Sequence, residues 1–379
     1  MAGSAIEPCR KRHGGTISLI AAGCRAHGRA GQTGGCMGAT MDDFDYDLPE
    51  TFIAQTPLEP RDSARMLVSL DAAVAPTHRR VSDIPSVLMP GDVLVVNNTK
   101  VLPARIALRR STGGGGEALL LDPVGDGWWN ALVRPSKKLP LGSEARSEKG
   151  DLRIEFGADF GEGRRRVKLL YGADNPEEAP ALDAAGTMPL PPYIHERLDD
   201  QSRYQTVYAQ LPGSAAAPTA GLHFTPALLS ALRAQGVVVA EVELVVGLDT
   251  FRPVTANVPQ DHVIHTERYR VPVETLEACR TARDNGHRVI AVGTTTTRAL
   301  ESAAATGQLE GHTSLFIHGS YDFALIDVMM TNFHLPRSSL LLLIDAFTGP
   351  RWRDLYSLAQ AEGYRFLSFG DCMLIGRQL

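Results

Sequence analysis

Apolar patterning in this chain begins only after residue 41 and then takes two textures. Glu50–Thr56 is a short helix candidate that Pro57 stops, and Met66–Leu70 reads as a strand. Asp92–Asn97 (D-V-L-V-V-N) follows Pro90-Gly91 as a continuous β-branched run, the pattern of a buried strand. Residues 101–190 then carry short strand-like runs at Ala104–Arg109, Glu117–Leu121, Trp128–Val133, Arg153–Phe156 and Val167–Tyr171. Gly, Asp or Pro bounds each run, a spacing that predicts a small all-β barrel or sandwich, with Pro189–Pro192 as its closing hinge. Gly113–Gly116 is followed by a strand run rather than a helix opening, so it reads as a hairpin tip and not a phosphate loop.

After Tyr193 the texture alternates. Pro226–Gln235 is a predicted helix with Thr225 as N-cap and Gly236 as stop. Strand Val237–Val246, helix Val273–Asn285, strand Arg288–Val292 and helix Thr296–Ala305 follow, with Thr296 as a candidate N-cap. Phe323–Met329 reads as a strand, Ser338–Phe347 as an apolar helix or strand, and Arg351–Glu362 as a helix. Alternation of this kind predicts an α/β fold. The expected architecture is a mixed-sheet α/β main domain interrupted by a small β-barrel domain. Its boundaries are set at 41–91 and 193–379 for the main domain and at 92–192 for the barrel.

Residues 1–40 stand apart. They hold five of the 38 basic residues, one of the 43 acids, nine glycines and three of the five cysteines. A signal peptide is opposed by the short apolar stretch Thr16–Gly23, and an amphipathic transit helix by the glycines. A disordered extension, or upstream sequence preceding a start at Met37 or Met41, fits better. The other 339 residues carry 33 basic and 42 acidic side chains, a net −9 against −5 for the whole. No apolar run reaches the roughly 18–20 residues of a membrane span. The cysteines form no Cys-x-x-Cys pair, and a reducing, cytoplasmic location is expected.

Candidate chemistry sits in polar stretches between apolar runs. The sequence contains no Gly-x-Gly-x-x-Gly, no Walker loop and no His-Glu-x-x-His. Arg203–Thr225 is a Pro-, Gly-, Ser- and Ala-rich loop ending at His223, either a ligand contact or a helix-entry histidine bonded to backbone. In Asp261–Tyr269, His265 and Glu267 share a face on a strand and suit an acid/base pair. His262 and His265 would share a helical face, but no further metal ligands follow at a recognisable spacing, so no metal is expected. Val292–Ser302 turns from strand into helix through Gly293, Thr294 and Thr295, where open α/β sheets bind ligands. Asn97, Asn98 and Lys100 follow the buried strand, Asn332 and His334 follow another, and Asp371 lies near the C-terminus. Each of these is equally well an ordinary turn residue. Arg109-Arg110, Arg134 with Lys137 and Lys138, and Arg164–Arg166 all lie in the predicted barrel, a basic bias that suits nucleic acid despite the acidic total.

In this order, the segments DFDYDLPETFIAQTPLEPRDSARMLV (43–68), GDVLVVNNTKVLPARI (91–106), LVRPSKKL (132–139) and MPLPPYI (188–194) resemble one known family. So do RYQTVYAQLPGSAAAPTAGLHFT (203–225), GTTTTRALES (293–302), TNFHLPRSSLLLLIDAF (331–347) and YRFLSFGDCMLI (364–375). The family is that of the S-adenosylmethionine:tRNA ribosyltransferase-isomerases of queuosine biosynthesis. The resemblance implies an α/β plus β-barrel fold and a monomer without a prosthetic group or membrane attachment. It implies that S-adenosylmethionine is co-substrate and donates its ribosyl part to 7-aminomethyl-7-deazaguanine at the tRNA wobble position. The products are epoxyqueuosine-tRNA, adenine and methionine. Under this reading His223 or His265 transfers protons with Glu267 orienting or sharing. Gly293, Thr294, Thr295, Arg298, Asn332, His334, Asp371, Asn97 and Asn98 hold substrate, and Lys100, Arg134, Lys137 and Lys138 meet tRNA. Two positions depart from the family's L-H-V-G-x-G-T-F pattern: Val245 stands in place of a histidine and Asp249 in place of a glycine. They leave room for a divergent enzyme with another acceptor, and the basic barrel alone would also suit a non-catalytic RNA-binding module.

Overall fold

The computed structural model describes residues 39–172, 177–247 and 254–378. Residues 1–38 and Asp249 lie outside them. Residues 39–379 form one compact unit.

The strands run in chain order as β1 (Arg65–Ser69), β2 (Thr77–Arg80), β3 (Val93–Asn97) and β4 (Thr99–Val101). Then come β5 (Arg105–Arg110), β6 (Gly115–Gly125), β7 (Trp128–Arg134), β8 (Glu144–Ser147), β9 (Leu152–Gly161) and β10 (Arg164–Tyr171). After α1 (Glu178–Ala185), β11 (Gly186–Thr187) and β12 (Leu211–Ser214), the chain makes α2 (Pro226–Ala234), β13 (Val238–Leu244) and β14 (Glu267–Arg270). It continues with α3 (Val273–Asp284), β15 (Val289–Val292), α4 (Thr294–Thr306), β16 (Glu310–Thr313) and β17 (Val328–Asn332). It ends with α5 (Ser339–Thr348), α6 (Trp352–Ala361) and β18 (Cys372–Gly376).

Nine strands form one mixed sheet in the order β16-β14-β13-β3-β15-β17-β18-β1-β2. Its centre, β13-β3-β15-β17, is parallel. All five residues of β3 are buried, and successive side chains enter opposite faces. Val93 and Val95 pack into one core with Leu276, Leu300 and Phe347, whereas Leu94 and Val96 pack into the other with Leu228 and Leu232. Covering both faces explains why β3 is an unbroken apolar run rather than an alternating one.

The second sheet has the order β11-β5-β6-β7-β10-β9-β8 and closes through pairing of β5 with β8, giving a six-stranded barrel with β11 at its margin. Inward residues such as Ile106, Ala118, Trp129, Ile154, Phe156 and Val167 fill it. The expected segment starting at residue 92 is corrected here. Val93–Asn97 is central to the large sheet, and the barrel strands begin at Arg105.

Other local expectations also change. Glu50–Thr56 makes only a 3-10 turn at Glu50–Phe52, because Ala54 N–H donates to Phe366 O and draws the chain into an extended path. Phe323–Met329 is not a strand until Val328. The buried Glu301 carboxylate accepts from the backbone N–H groups of Ala324, Leu325 and Ile326 at 2.8, 3.0 and 3.3 Å, so those donors cannot join a ladder. Thr296 is not an N-cap: the helix starts two residues earlier after Gly293, whose φ of +91° favours glycine. Thr225 does cap α2, its Oγ1 accepting from Leu228 N–H at 3.1 Å.

Candidate active site

Two spaces meet at the C-terminal ends of the parallel strands. The first is a pocket lined by Ala217–Ala220, Val246, Gly293–Thr295, Thr331–Leu335, Tyr193 and Ser368, among others. Crossing from β15 into α4 at Gly293 brings backbone and two threonines to its wall, with the helix N-terminus behind them. Gly293, Thr294, Thr295, Asn332 and His334 all line this pocket. Tyr193, which sequence reasoning passed over, lies there too, with its hydroxyl 2.7 Å from Ser368 Oγ.

The pocket's polar side chains are mostly occupied with one another. Asn332 Oδ1 accepts from Thr219 Oγ1 at 2.9 Å, and its Nδ2 donates to Leu367 O at 3.2 Å. Thr331 Oγ1 and His334 Nε2 lie 2.9 Å apart. Burial pushes the His334 pKa down to about 3, so the ring is neutral. His223 stands behind this wall, 5% exposed, with Asn332 Nδ2 3.4 Å from its Nε2. Burial first, and then the nearby Arg365 charge, push its pKa down to about 4.

The second space is a cleft between the barrel and the large sheet. Leu121, Asp122, Pro123, Leu132 and Arg164 line its barrel side. Pro212, Ala215, Val245–Gly247, His265–Arg268 and His312 line the other. Val246 belongs to both spaces, so it forms the partition between them. Glu267 opens β14, and His265 lies in the irregular segment just before it; His265 Nε2 lies 2.9 Å from Glu267 Oε1. Gly247 N–H donates to the same oxygen at 3.2 Å, while Arg298 Nη1, reaching down from α4, bonds Oε2. Arg298 Nε donates in turn to Leu315 O at 3.1 Å.

Glu267 is 3% exposed. Burial alone would raise its pKa, but the His265 hydrogen bond and then the Arg298 charge outweigh it and hold the carboxyl below the usual range. An ionised carboxylate only accepts, so the hydrogen in the His265–Glu267 bond is carried by His265 Nε2. A buried carboxylate so placed fixes the tautomer and aim of the imidazole ring.

The remaining candidates are braces rather than lining residues. Asn97 Oδ1 accepts from Thr99 and Leu244 N–H, both at 3.2 Å, and its Nδ2 donates to Leu244 O at 3.0 Å, tying β3 to β13. Asn98 Nδ2 donates to Glu241 at 2.8 Å. Asp371 accepts from Arg65 N–H at 2.9 Å and Arg365 N–H at 2.8 Å. Arg298 is committed to Glu267 and the Leu315 carbonyl. Lys100, Arg134, Lys137 and Lys138 are exposed, and Lys100 pairs in the β4–β12 ladder with Pro212 of the cleft wall. Arg165, counted among the basic clusters, is 3% exposed; its guanidinium donates to the carbonyls of Ser136, Leu139 and Gly157. Val245 lines the cleft. Among the described residues no three His, Cys, Asp or Glu side chains gather as metal ligands would, and no helix is long and apolar enough to cross a membrane.

The chain is similar to proteins named S-adenosylmethionine:tRNA ribosyltransferase-isomerase. That of Moorella thermoacetica is 49% identical over 341 residues, covering 88% of this chain and 99% of that protein. That of Desulfitobacterium hafniense is 46% identical over 344 residues, with the same coverage. The crystal structure of S-adenosylmethionine tRNA ribosyltransferase from Thermotoga maritima superposes with a TM-score of 0.51 at 36% identity, covering 88% of this chain and 99% of that one. Residues 41–375 match the family described as queuosine biosynthesis protein, and the chain belongs to that family.

Proposed function

We infer that this protein is an S-adenosylmethionine-dependent tRNA ribosyltransferase-isomerase of queuosine biosynthesis. It moves the ribosyl part of S-adenosylmethionine onto 7-aminomethyl-7-deazaguanine at the tRNA wobble position and isomerises it to epoxyqueuosine, releasing adenine and methionine. S-Adenosylmethionine is a co-substrate, and no prosthetic group takes part. The observation that carries the assignment of roles is the Arg298–Glu267–His265 chain opening into a cleft that shares one wall with a neutral pocket.

The chemistry needs a base for the proton on the carbon beside the sulfonium, which the positive sulfur acidifies, and a proton donor for the departing adenine. It also needs the acceptor amine neutral, since only the free base is a nucleophile. The strand-end pocket, with its threonines, Asn332 and neutral His334, suits the uncharged adenosyl portion of S-adenosylmethionine. The acceptor enters by the cleft, and the partition at Val246 is where ribosyl carbon and amine meet. His265 takes the proton, and Glu267 holds the ring and stabilises the imidazolium that results. His223, buried and neutral behind Asn332, positions the pocket wall rather than the proton. Gly293, Thr294 and Thr295 approach S-adenosylmethionine, while Asn97, Asn98 and Asp371 keep the strand ends in place. Lys100, Arg134, Lys137 and Lys138 contact tRNA phosphates. One chain contains both spaces, so a monomer suffices, and a cytoplasmic reaction is the reading that a tRNA substrate supports.

Adenine release from S-adenosylmethionine tests this reading. Release only with tRNA carrying the aminomethyl-deazaguanine is expected. Release without tRNA overturns the acceptor assignment in favour of another acceptor, a reading that Val245 in the cleft wall would suit. Turnover near that of the unaltered enzyme in His223→Ala, His265→Ala and Glu267→Gln alike overturns the residue roles.

A further inference from the structure

The cleft accounts for one nucleotide, and a tRNA loop brings several. On β10 the side chains alternate: Arg165, Val167 and Leu169 are buried in the barrel, while Arg164, Arg166 and Lys168 point outward. At strand geometry those three stand about 6.6 Å apart in succession. Arg164 lines the cleft, so the row starts at its mouth and leads away across the barrel.

Aromatic rings accompany the two outer cations. The Arg166 guanidinium lies 5.8 Å from the centre of the Phe160 ring, and Phe160 is 59% exposed. Lys168 Nζ lies 5.7 Å from the Trp128 ring, its cross-strand partner. The Trp128 ring packs over Gly157, and only a glycine leaves room for it there. A Cβ there would come within 2.8 Å of the indole and 3.1 Å of Arg166 Cβ. Arg166 Nε is buried without a hydrogen-bond partner among the described residues. One acid, Glu155, stands opposite Lys168 in the ladder, but the lysine lies over Trp128 and makes no ion pair within 4.0 Å among the described residues.

Cations at regular spacing beside accessible rings, here the exposed Phe160 and the half-buried Trp128, are what single-stranded nucleic acid requires, the charges for phosphates and the rings for unstacked bases. We propose that this face of β7, β9 and β10 is the track on which the single-stranded anticodon loop of tRNA lies, leading its wobble nucleotide into the cleft. Arg166 and Lys168 meet phosphates of neighbouring nucleotides, and Trp128 and Phe160 stack their bases. The proposal rests on the tRNA reading above, but it concerns RNA binding and not turnover.

Filter binding of the full-length protein to tRNA carrying the aminomethyl-deazaguanine, from low to high salt, tests it. Each lost phosphate contact lowers the slope of log affinity against log salt by about 0.7 for a single strand. Arg166→Gln with Lys168→Gln therefore reduces the slope by about 1.4 and weakens binding about tenfold at moderate salt. S-Adenosylmethionine binding by calorimetry stays unchanged. Lys168→Gln alone, at a half-buried surface position, gives half the slope change, so a folding defect in the double variant does not decide the outcome. Arg166→Lys with Lys168→Arg keeps both charges and restores the slope. Arg233→Gln on α2 is the control for loss of any surface charge. Slopes equal to the unaltered protein in both glutamine variants overturn the track, even if adenine is released normally. Tight, salt-sensitive binding with no adenine release overturns the functional reading and leaves the track standing.

Discussion

The strand-end pocket and the barrel–sheet cleft share Val246, yet their ionisable groups are treated in opposite ways. In and behind the pocket wall, two histidines are buried without a carboxylate partner among the described residues, and both are pushed neutral. At the cleft, a buried carboxylate is given a histidine, an arginine and a backbone N–H, and it stays charged. Burial is comparable, and the difference lies in the partners. A neutral enclosure favours a ligand held by shape and hydrogen bonds, whereas a prepaired charge beside a more exposed histidine favours proton transfer. Distance to the strand ends alone would not have separated the two spaces, because both lie there.

The contrast breaks most sharply on His265. His265→Ala is expected to lower kcat for adenine release by about 10²–10⁴, the usual contribution of a positioned acid–base group. Glu267→Gln should lower it less, since the amide still orients the ring but no longer stabilises the imidazolium. Single-turnover measurement with saturating substrates reads both. If His223→Ala costs more than His265→Ala, the pocket performs the proton transfer and the comparison is reversed.

Arg298 tests whether the cleft's charge needs its partner. Arg298→Met removes the cation from the buried Glu267 carboxylate, and removing one member of such a pair costs about 3–5 kcal/mol. Urea unfolding at pH 7 measures it. The double variant with Glu267→Gln should recover much of the loss. Additive losses would mean that the two side chains are not coupled.

Several of these features were legible in the sequence, and particular residues show why others were not. The β3 run and the Thr225-Pro226 start of α2 are written locally, in branched apolar residues and in a cap with proline behind it. The sequence offered His265 and Glu267 as a pair on one strand face; the two side chains do meet, but His265 lies in the irregular segment before β14, so nearness in sequence rather than strand alternation joins them. Arg298 looked like a binding residue because it follows a strand-to-helix turn, but helix geometry turns it toward β14. Arg165 sat in a basic triplet, yet alternation along β10 sends the middle arginine inward, where three carbonyls hold it. Asn97, Asn98 and Asp371 have the right composition for ligand contacts, but that composition serves equally to brace the ends of neighbouring strands. Which one occurs depends on partners far along the chain: Leu244 for Asn97, Arg65 for Asp371. The apolar Phe323–Met329 run misled for the same reason, since Glu301 claims its backbone donors from a different element.

The neutral histidines make the pocket side acid-sensitive. Their folded values lie below the unfolded value of about 6.5, so between these limits the unfolded chain binds more protons. Stability is therefore full above about pH 6.5 and falls as the pH drops toward about 4 for His223 and about 3 for His334. From pH 7 to 5.5 each contributes a loss of about 1.2 kcal/mol. Thermal or urea melts across that range should show it, and His334→Asn should remove one histidine's share. An unchanged pH slope in that variant would show that His334 does not titrate with folding.

The smallest expected effect separates stability from chemistry. Thr225 Oγ1 accepts from Leu228 N–H at 3.1 Å and donates to Asp62 at 3.0 Å, so one hydroxyl caps α2 and ties it to the turn before β1. Thr225→Ala leaves both partners unserved and should cost about 1 kcal/mol. Thr225→Ser keeps the hydroxyl and should cost less. Because His223 lies two residues before the cap, any loosening reaches the pocket wall first. KM for S-adenosylmethionine should therefore rise slightly while kcat holds. A fall in kcat at unchanged KM would mean that the helix entry feeds the proton-transfer step. The division between a neutral binding pocket and a charged reacting cleft would then be wrong.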